Sequence, residues 1–374
     1  MAFPIIVHEG SVQHRGLKIG RVLLVAVVIF ALPYVVESYR LDQITGALIL
    51  ATAAVGLNLL SGFGGQISLG HAAFFGFGAY TTGILVTNDG WYPPLAFIMG
   101  MVVCFVVGVL VGVPALRLQG MYLALVTLAV GVIFPSLVRR FESLTGGSAG
   151  LFGIKFEAPD TAYFAGRAGQ TVWLYYVATV ALLLSCLIVW NLMRGRMGRA
   201  IVALRDNESA AIVMGIDRTV VRTVLFGISG AIAGLAGGLF AVDTGILTPD
   251  SFSLLFTIYL LVAMVLGGSA SYWGPIIGGF AIYFLPLWTG EITEGPAAGV
   301  VFGILIIVIV FTLREGIMGG LKSLGSRVLV VEPRRPETSV EIVVDRLMGD
   351  AEIQDPDDAC TREELRQPTS PAGK

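Results

Sequence analysis

The sequence consists of apolar runs about as long as a membrane-spanning helix, with charged residues confined to the segments between them. Leu95 to Leu116, for example, contains no charged residue. A helix needs about 20 apolar residues to cross the hydrocarbon core of a bilayer. Soluble domains carry about 25% charged residues, whereas this chain carries 13% charged and 55% hydrophobic residues. The pattern predicts an all-α polytopic integral membrane protein and excludes a water-soluble fold.

About ten transmembrane helices are expected within residues 22–313. Residues 1–21 are expected to form a cytoplasmic N-terminal segment, and residues 314–374 a disordered cytoplasmic tail in which 327–331 forms a brief strand. Eight or nine spans remain possible because the ninth apolar run is short. The predicted spans are 22–36, 43–60, 71–87, 95–116, 121–138, 171–193, 221–242, 252–266, 276–288 and 297–313.

The side of each loop is predicted from charge. Arg194 to Arg222 is a polar island with six arginines against three acids. Short loops this rich in arginine face the cytoplasm. Counting spans in both directions from this loop places both termini in the cytoplasm. Most other basic residues near the predicted membrane ends then fall on the same side, and the exceptions are Arg40, Arg139, Arg140, Lys155 and Arg167.

The island contains a candidate helix of about two turns. Asn207 is a suitable N-cap, Gly215 can close the C-terminal end, and Ala210, Ala211 and Met214 form a small apolar face. So short a helix is not stable alone. We therefore interpret it as a peg that fits a groove on another protein.

The predicted span at residues 221–242 is rich in glycine. Gly230, Gly234 and Gly238 recur every four residues and so share one helix face. Small residues at this spacing allow two membrane helices to approach closely. The spacing predicts a tight helix–helix contact along this span.

Two glycine-rich segments, Ser61–His71 and Gly267–Pro275, interrupt the apolar part. Irregular backbone at membrane depth is tolerated only where it is buried in protein or lines a wet cavity, and broken helices often form the solute sites of transporters. One interpretation is a path for a small polar solute. The other is a cytoplasmic turn with packing glycines, with His71 a packing residue. The candidate path residues are Asn58, Gly64, Gly65, Gln66, Ser68 and His71.

The sequence contains no recognisable catalytic, metal or nucleotide motif. No nucleophile–base pair, metal-ligand spacing or phosphate loop occurs, so the chain is expected not to be an enzyme and to bind no cofactor itself. The predicted spans also have few ionisable residues. Ion-driven transporters usually keep such residues at mid-membrane, so any energy input is expected from elsewhere.

Several motifs resemble one family. Asn207-Glu208-Ser209-Ala210-Ala211 followed by Gly215 resembles the EAA loop of ABC-importer permeases, with Ser209 where the simplest pattern has alanine. The other motifs resemble the LivM-type branched-chain amino acid permeases, and the likeness extends from Leu41 to Leu313. These motifs are Gly195 to Ala200, Leu204-Arg205-Asp206, Gly62 to Tyr80, and Ser229-Gly230 with Gly234 to Gly237.

The resemblance implies a transmembrane permease subunit of an ABC importer in the cell inner (plasma) membrane. It implies a LivH-like second permease, LivG/LivF-like ATPase subunits that use the ATP, and a periplasmic or lipid-anchored substrate-binding protein. Arg205, Asn207, Glu208, Ala210, Ala211 and Gly215 would form the ATPase-coupling site. The alternatives are a urea or short-chain amide permease of the same family, an ATPase-independent channel or facilitator, and a structural subunit with no path.

Overall fold

The computed structural model describes residues 5–8, 27, 29–115, 121–154, 167–292, 297–312, 316–320 and 329–332. They form two compact units, of which the larger comprises residues 23–327. The helices are α1 (29–35), α2 (Ser38–Leu57), α3 (His71–Thr87), α4 (Pro93–Ala115), α5 (Met121–Arg140), α6 (Glu142–Thr145), α7 (Arg167–Arg194), α8 (Arg196–Asp206), α9 (Glu208–Val213), α10 (Arg218–Thr244), α11 (Leu254–Gly267), α12 (Gly274–Ile292), α13 (Ala297–Thr312) and α14 (316–320). The strands are β1 (Ile5–His8), β2 (Leu151–Phe152), β3 (Ile246–Leu247) and β4 (Leu329–Glu332).

The helical architecture confirms the predicted fold class. Five of the described helices are long and apolar enough to cross a membrane, and three shorter apolar helices accompany them. The predicted total of ten spans, the side on which each terminus lies and the boundaries of the tail remain predictions. The long candidates are Ser38–Phe63, Pro93–Val113, Tyr122–Arg140, Gly169–Arg194 and Arg218–Thr244.

Helix α10 forms the centre of the larger unit and packs against α4, α3 and α2. A Cβ on Gly230 would lie 2.8 Å from the carbonyl oxygen of Cys104, and one on Gly234 would lie 2.6 Å from the sulfur of Cys104. Any larger side chain would push α4 away, which confirms the close contact predicted from the glycine spacing. Across the α10–α2 contact, the Ser229 hydroxyl donates a hydrogen bond to the Gly56 carbonyl at 2.7 Å.

The two ends of α10 distinguish two sides of this unit. With 27 residues, α10 is about 40 Å long. Its first residue, Arg218, lies within the polar island, and its last residue, Thr244, precedes β3, which pairs antiparallel with β2. An ion pair between Arg139 and Asp250 lies on this second side. The segment around residues 139–154 therefore lies at the opposite end of α10 from the island, as span counting predicts.

Both glycine-rich interruptions are present. The last turn of α2 continues as a π-helical segment, Asn58–Phe63, and the chain is irregular from Gly64 to Gly70 before α3 starts. The second interruption occupies residues 268–273, between α11 and α12. We call residues 64–70 the first break and residues 268–273 the second break.

The smaller unit contains the two remaining strands. β1 and β4 pair in parallel, with Ile5 opposite Leu329 and His8 opposite Glu332. The strand predicted at residues 327–331 is therefore present with slightly different bounds, while its partner β1 was not predicted. The predicted disorder of the tail concerns residues outside those that the structure describes, apart from α14 and β4.

Candidate coupling loop and glycine-rich breaks

The predicted peg is helix α9, and both of its predicted end signals are confirmed. The Asn207 side chain accepts a hydrogen bond from the Ala210 amide at 3.0 Å, which satisfies one free donor of the first turn. At the other end Gly215 adopts φ +85°, a left-handed conformation that glycine reaches without steric cost. This lets the Ile216 amide bond back to the Ala211 carbonyl at 3.1 Å.

Glu208 ties α9 to the first turns of α10. Its two carboxylate oxygens accept hydrogen bonds from Arg218 at 3.0 Å and from Arg222 at 2.9 Å. Partial burial acts to raise the pKa of Glu208, but the bonds from Arg218 and Arg222 outweigh it, so the pKa lies below its ordinary value. Glu208 therefore carries its charge at neutral pH and holds the peg at a fixed angle to α10.

The exposed surface at the C-terminal end of α9 is apolar. Ala211 is buried against the rest of the unit, whereas Val213 is 86% exposed and Met214 is 82% exposed. Ile212 is 45% exposed, and Ala210 is also on the outside. Of the three residues predicted to form the apolar face, Ala211 therefore packs inward and Ala210 and Met214 face outward. We call Ile212, Val213 and Met214 the apolar tip.

The island contains a second helix that was not predicted. Helix α8 buries Gly198, Ile201 and Leu204, and its basic side chains lie on the remaining surface. Only two large apolar residues mark its inner face, so the periodic signal was too short to identify it. Arg205, near the end of α8, pairs with Asp206 at 3.0 Å in a partly exposed contact.

The first break is closed by its own backbone. The Gly64 amide donates to the Leu59 carbonyl and the Gln66 amide to the Leu60 carbonyl, both at 3.2 Å. The Ser61 hydroxyl donates to the Gln66 carbonyl at 2.8 Å. These bonds stabilise a tight reversal directly after the π-helical segment.

Asn58 joins the two breaks. Its side-chain oxygen accepts a hydrogen bond from the Ala270 amide at 3.0 Å, and its side-chain nitrogen donates to the Ser271 carbonyl at 2.9 Å. Asn58 is 2% exposed, so its buried side-chain amide supplies hydrogen-bond partners for irregular backbone of the second break. The two breaks therefore form one site.

Two threonines hold the end of the first break. Thr127 of α5 accepts a hydrogen bond from the Leu69 amide at 3.0 Å, and Thr257 of α11 accepts one from the Ala72 amide at 3.1 Å. Sequence analysis missed both residues. A buried threonine within an apolar helix is the signal that could have identified them, although it does not indicate which backbone group is bound.

Besides Asn58, three of the predicted path residues are buried polar groups. Gln66 is 7% exposed, and Ser68 and His71 are fully buried. The Gln66 side-chain oxygen and the Ser68 hydroxyl have no hydrogen-bond partner. The His71 ring interacts with the Ala53 carbonyl, although neither ring nitrogen makes a hydrogen bond of normal geometry. Burying polar groups without partners is costly, so these three residues remain candidate path residues beside the joined breaks.

Within the described part of the chain, no group of three or more His, Cys, Asp or Glu residues could hold a metal ion. Gly64 and Gly65, the remaining predicted path residues, are half-buried and exposed respectively, and Gly65 lies beside Arg205 of the polar island. The structure thus places all six predicted path residues in or next to the joined breaks. The coupling residues Arg205, Asn207, Glu208, Ala210, Ala211 and Gly215 lie together in α8, α9 and the turn after α9.

Long apolar helices, two joined breaks within them and a basic loop carrying a short capped helix define a polytopic membrane protein of the transporter class. Comparison with known proteins gives the family. Residues 39–310 match the family described as "Branched-chain amino acid transport system / permease component", and the chain belongs to this family.

The relatives are permease proteins of the same kind. The chain is 34% identical over 292 residues to the high-affinity branched-chain amino acid transport system permease protein LivM of Escherichia coli K12, covering 72% of this chain and 67% of that protein. The LivM protein of Salmonella typhimurium is 33% identical over 288 residues, with the same coverage. LivH of E. coli K12 is 24% identical over 282 residues, which cover 72% of this chain and 91% of LivH. No solved structure matches the chain.

Proposed function

We propose that this chain is one of the permease subunits of an ABC importer that moves branched-chain amino acids across the inner membrane. Its partners would be a LivH-like permease, two LivG/LivF-like ATPases and an external substrate-binding protein. The substrate class rests on the names of the LivM and LivH relatives. The observation that carries the proposal is the capped helix α9, held to α10 by Glu208 with its apolar tip left uncovered.

In this proposal α9 docks into a groove on an ATPase subunit. The apolar tip supplies the area that leaves water on docking, and the two bonds of Glu208 keep α9 aligned with α10. Because α10 packs against α2, α3 and α4, a movement of α9 reaches the helices that carry the first break. ATP binding by the partners would then alternate the site between outward and inward access.

Uptake by intact cells tests the substrate class. A strain deleted for this chain should lose uptake of labelled leucine, isoleucine and valine and recover it when the chain is restored. Loss of urea uptake alone would assign the chain to the amide branch of the family. Uptake that continues after the partner ATPases are deleted would instead assign a channel or facilitator.

Substitutions in the apolar tip test docking. Val213→Asp or Met214→Asp should abolish capture of the ATPases by the tagged chain, because a charge would enter an apolar contact, while membrane insertion stays normal. Arg196→Ala is the matched control, since it changes an exposed residue of the neighbouring helix. Unchanged capture by both tip variants would contradict the docking role.

The path residues are tested separately. Gln66→Leu and Ser68→Leu should lower leucine uptake with assembly preserved, because each removes a buried polar group of the path. Ile67→Val, at an exposed side chain between them, is the control. Normal uptake by both leucine variants would assign the first break to packing.

A further inference from the structure

The polar island touches the first break directly, through Arg205 and Gly65. A Cβ placed on Gly65 would lie 2.6 Å from Cγ and 3.4 Å from Cδ of Arg205. The aliphatic part of the arginine therefore packs flat on the glycine backbone. Gly65 has φ +65°, so the position disfavours a side chain both because of its conformation and because of its neighbour.

This contact joins the two sets of residues that the proposed function treats separately. Arg205 closes the last turn of α8, two residues before the cap of α9. Gly65 directly precedes Gln66, a candidate path residue whose side-chain oxygen is buried without a partner. A displacement of the polar island can therefore reach Gln66 through the contact of Arg205 with Gly65, without being transmitted along α10.

The elements on both sides of the contact are held firmly. Ile201 and Leu204 are 2% and 6% exposed, so the last turn of α8, directly before Arg205, is packed in the core. On the other side, the first break is closed by the bond from the Ser61 hydroxyl to the Gln66 carbonyl. Because protein interiors are close-packed, a movement of α8 towards the first break would push the Arg205 side chain against Gly65 and displace it.

The charge of Arg205 takes no part in this contact. Its guanidinium pairs with Asp206, whose side chain is 60% exposed, and exposed pairs of this kind contribute little. The methylene stem is the part that faces Gly65. The shape of the side chain rather than its charge is therefore expected to determine its role.

We propose that Arg205 is a positioning residue that couples the movement of the polar island to the first break through its aliphatic stem on Gly65. This proposal rests on the proposed function, in which the ATPase subunits move the polar island. It differs from a direct ATPase contact by Arg205, which would require the guanidinium.

Four variants separate these roles. Arg205→Ala removes the aliphatic stem, whereas Arg205→Met keeps a stem without the charge. Gly65→Ala inserts a methyl group against the stem, and the double variant Gly65→Ala/Arg205→Ala removes that clash. Leucine uptake per ATP hydrolysed is measured for the assembled complex in vesicles. We expect a drop of at least tenfold for Arg205→Ala and for Gly65→Ala. Arg205→Met should retain most of the coupling.

The double variant should recover part of the coupling lost by Gly65→Ala, because Cβ of Arg205 would lie 3.6 Å from the added methyl group, an ordinary contact distance. Arg196→Ala, which removes the same charge from an exposed position of α8, is the control and should match the parent. Equal defects in Arg205→Met and Arg205→Ala, or a double variant no better than Gly65→Ala, would overturn the proposal.

A second measurement needs no partner subunit. Amide hydrogen exchange of residues 64–70 in the purified chain should accelerate at least fivefold in Arg205→Ala and stay within twofold of the parent in Arg205→Met. Unchanged exchange in Arg205→Ala would overturn the contact itself. If exchange changes as expected but no ATPase is captured by the parent chain, the contact stands and the importer assignment fails.

Discussion

Replacing Glu208 by alanine tests how α9 is held. The change removes the acceptors of two charge-assisted hydrogen bonds, at 3.0 Å from Arg218 and 2.9 Å from Arg222. Such bonds contribute about 1.5–3 kcal/mol each. Because the side chains of Glu208 and Arg218 are 24% and 32% exposed, we take the lower value for each bond, which gives about 3 kcal/mol in total.

Local opening of α9 should become about a hundredfold more frequent, since each 1.4 kcal/mol corresponds to a factor of about ten. Amide hydrogen exchange measures this opening directly. The reporting amides are those of Ala211, Met214 and Ile216, which bond to Asn207, Ala210 and Ala211 respectively. Glu208→Gln keeps one acceptor oxygen and places an NH2 donor against the second arginine, so one of the two bonds, about 1.5 kcal/mol, is lost and exchange should increase about tenfold.

Ser209→Ala is the matched control because Ser209 is an exposed neighbour in the same helix. Its exchange should stay close to that of the parent chain. If exchange of the three reporting amides changes by less than twofold in Glu208→Ala, the two bonds do not hold α9, and the argument that the peg moves with α10 fails.

Three further predictions follow from the same contacts. The pKa of Glu208 lies below its ordinary value of 4.5. The stability that Glu208 contributes is therefore complete above pH 4.5 and is lost as the pH falls through the pKa of the folded state. In a thermal-unfolding series from about pH 7 downward, the melting temperature should fall less in Glu208→Gln than in the parent chain. Asn58→Leu leaves the Ala270 amide and the Ser271 carbonyl unpaired, which should destabilise the detergent-solubilised protein by about 2–4 kcal/mol in denaturant titrations, and a change below 1 kcal/mol would mean that other groups satisfy them. Asn207→Ala removes the cap of α9 and should cost about 1 kcal/mol of local stability, with Asn207→Asp as a control that retains it when hydrogen exchange is compared.

Features with a local physical cause were predictable from the sequence. The spans follow from the length of the apolar runs, because hydrocarbon accepts only backbone that is hydrogen-bonded within its own helix. The ends of α9 follow from Asn207 and Gly215, because capping depends on residues within a few positions of each other. The first break was located from its glycines for the same reason.

Features that were missed have weak local signals. Helix α8 presents few large apolar residues to the core, so the sequence pattern predicted a polar loop there. Arg218 and Arg222 were counted only as loop charge. Their spacing of one helical turn does place them on one face, but nothing local identifies Glu208 as their common partner, because the bonds join residues 10 and 14 positions apart.

By itself the sequence determined the class of protein, the interruptions in its helices and the presence of a short capped helix, since each depends on neighbouring residues and on the solvent around them. The tertiary structure alone decided what these parts touch. Asn58 bonds to Ala270 across 212 positions, and Arg205 rests on Gly65 in another part of the bundle. Such contacts depend on how the helices pack, and the packing of α10 against α2, α3 and α4 is a property of the assembled chain.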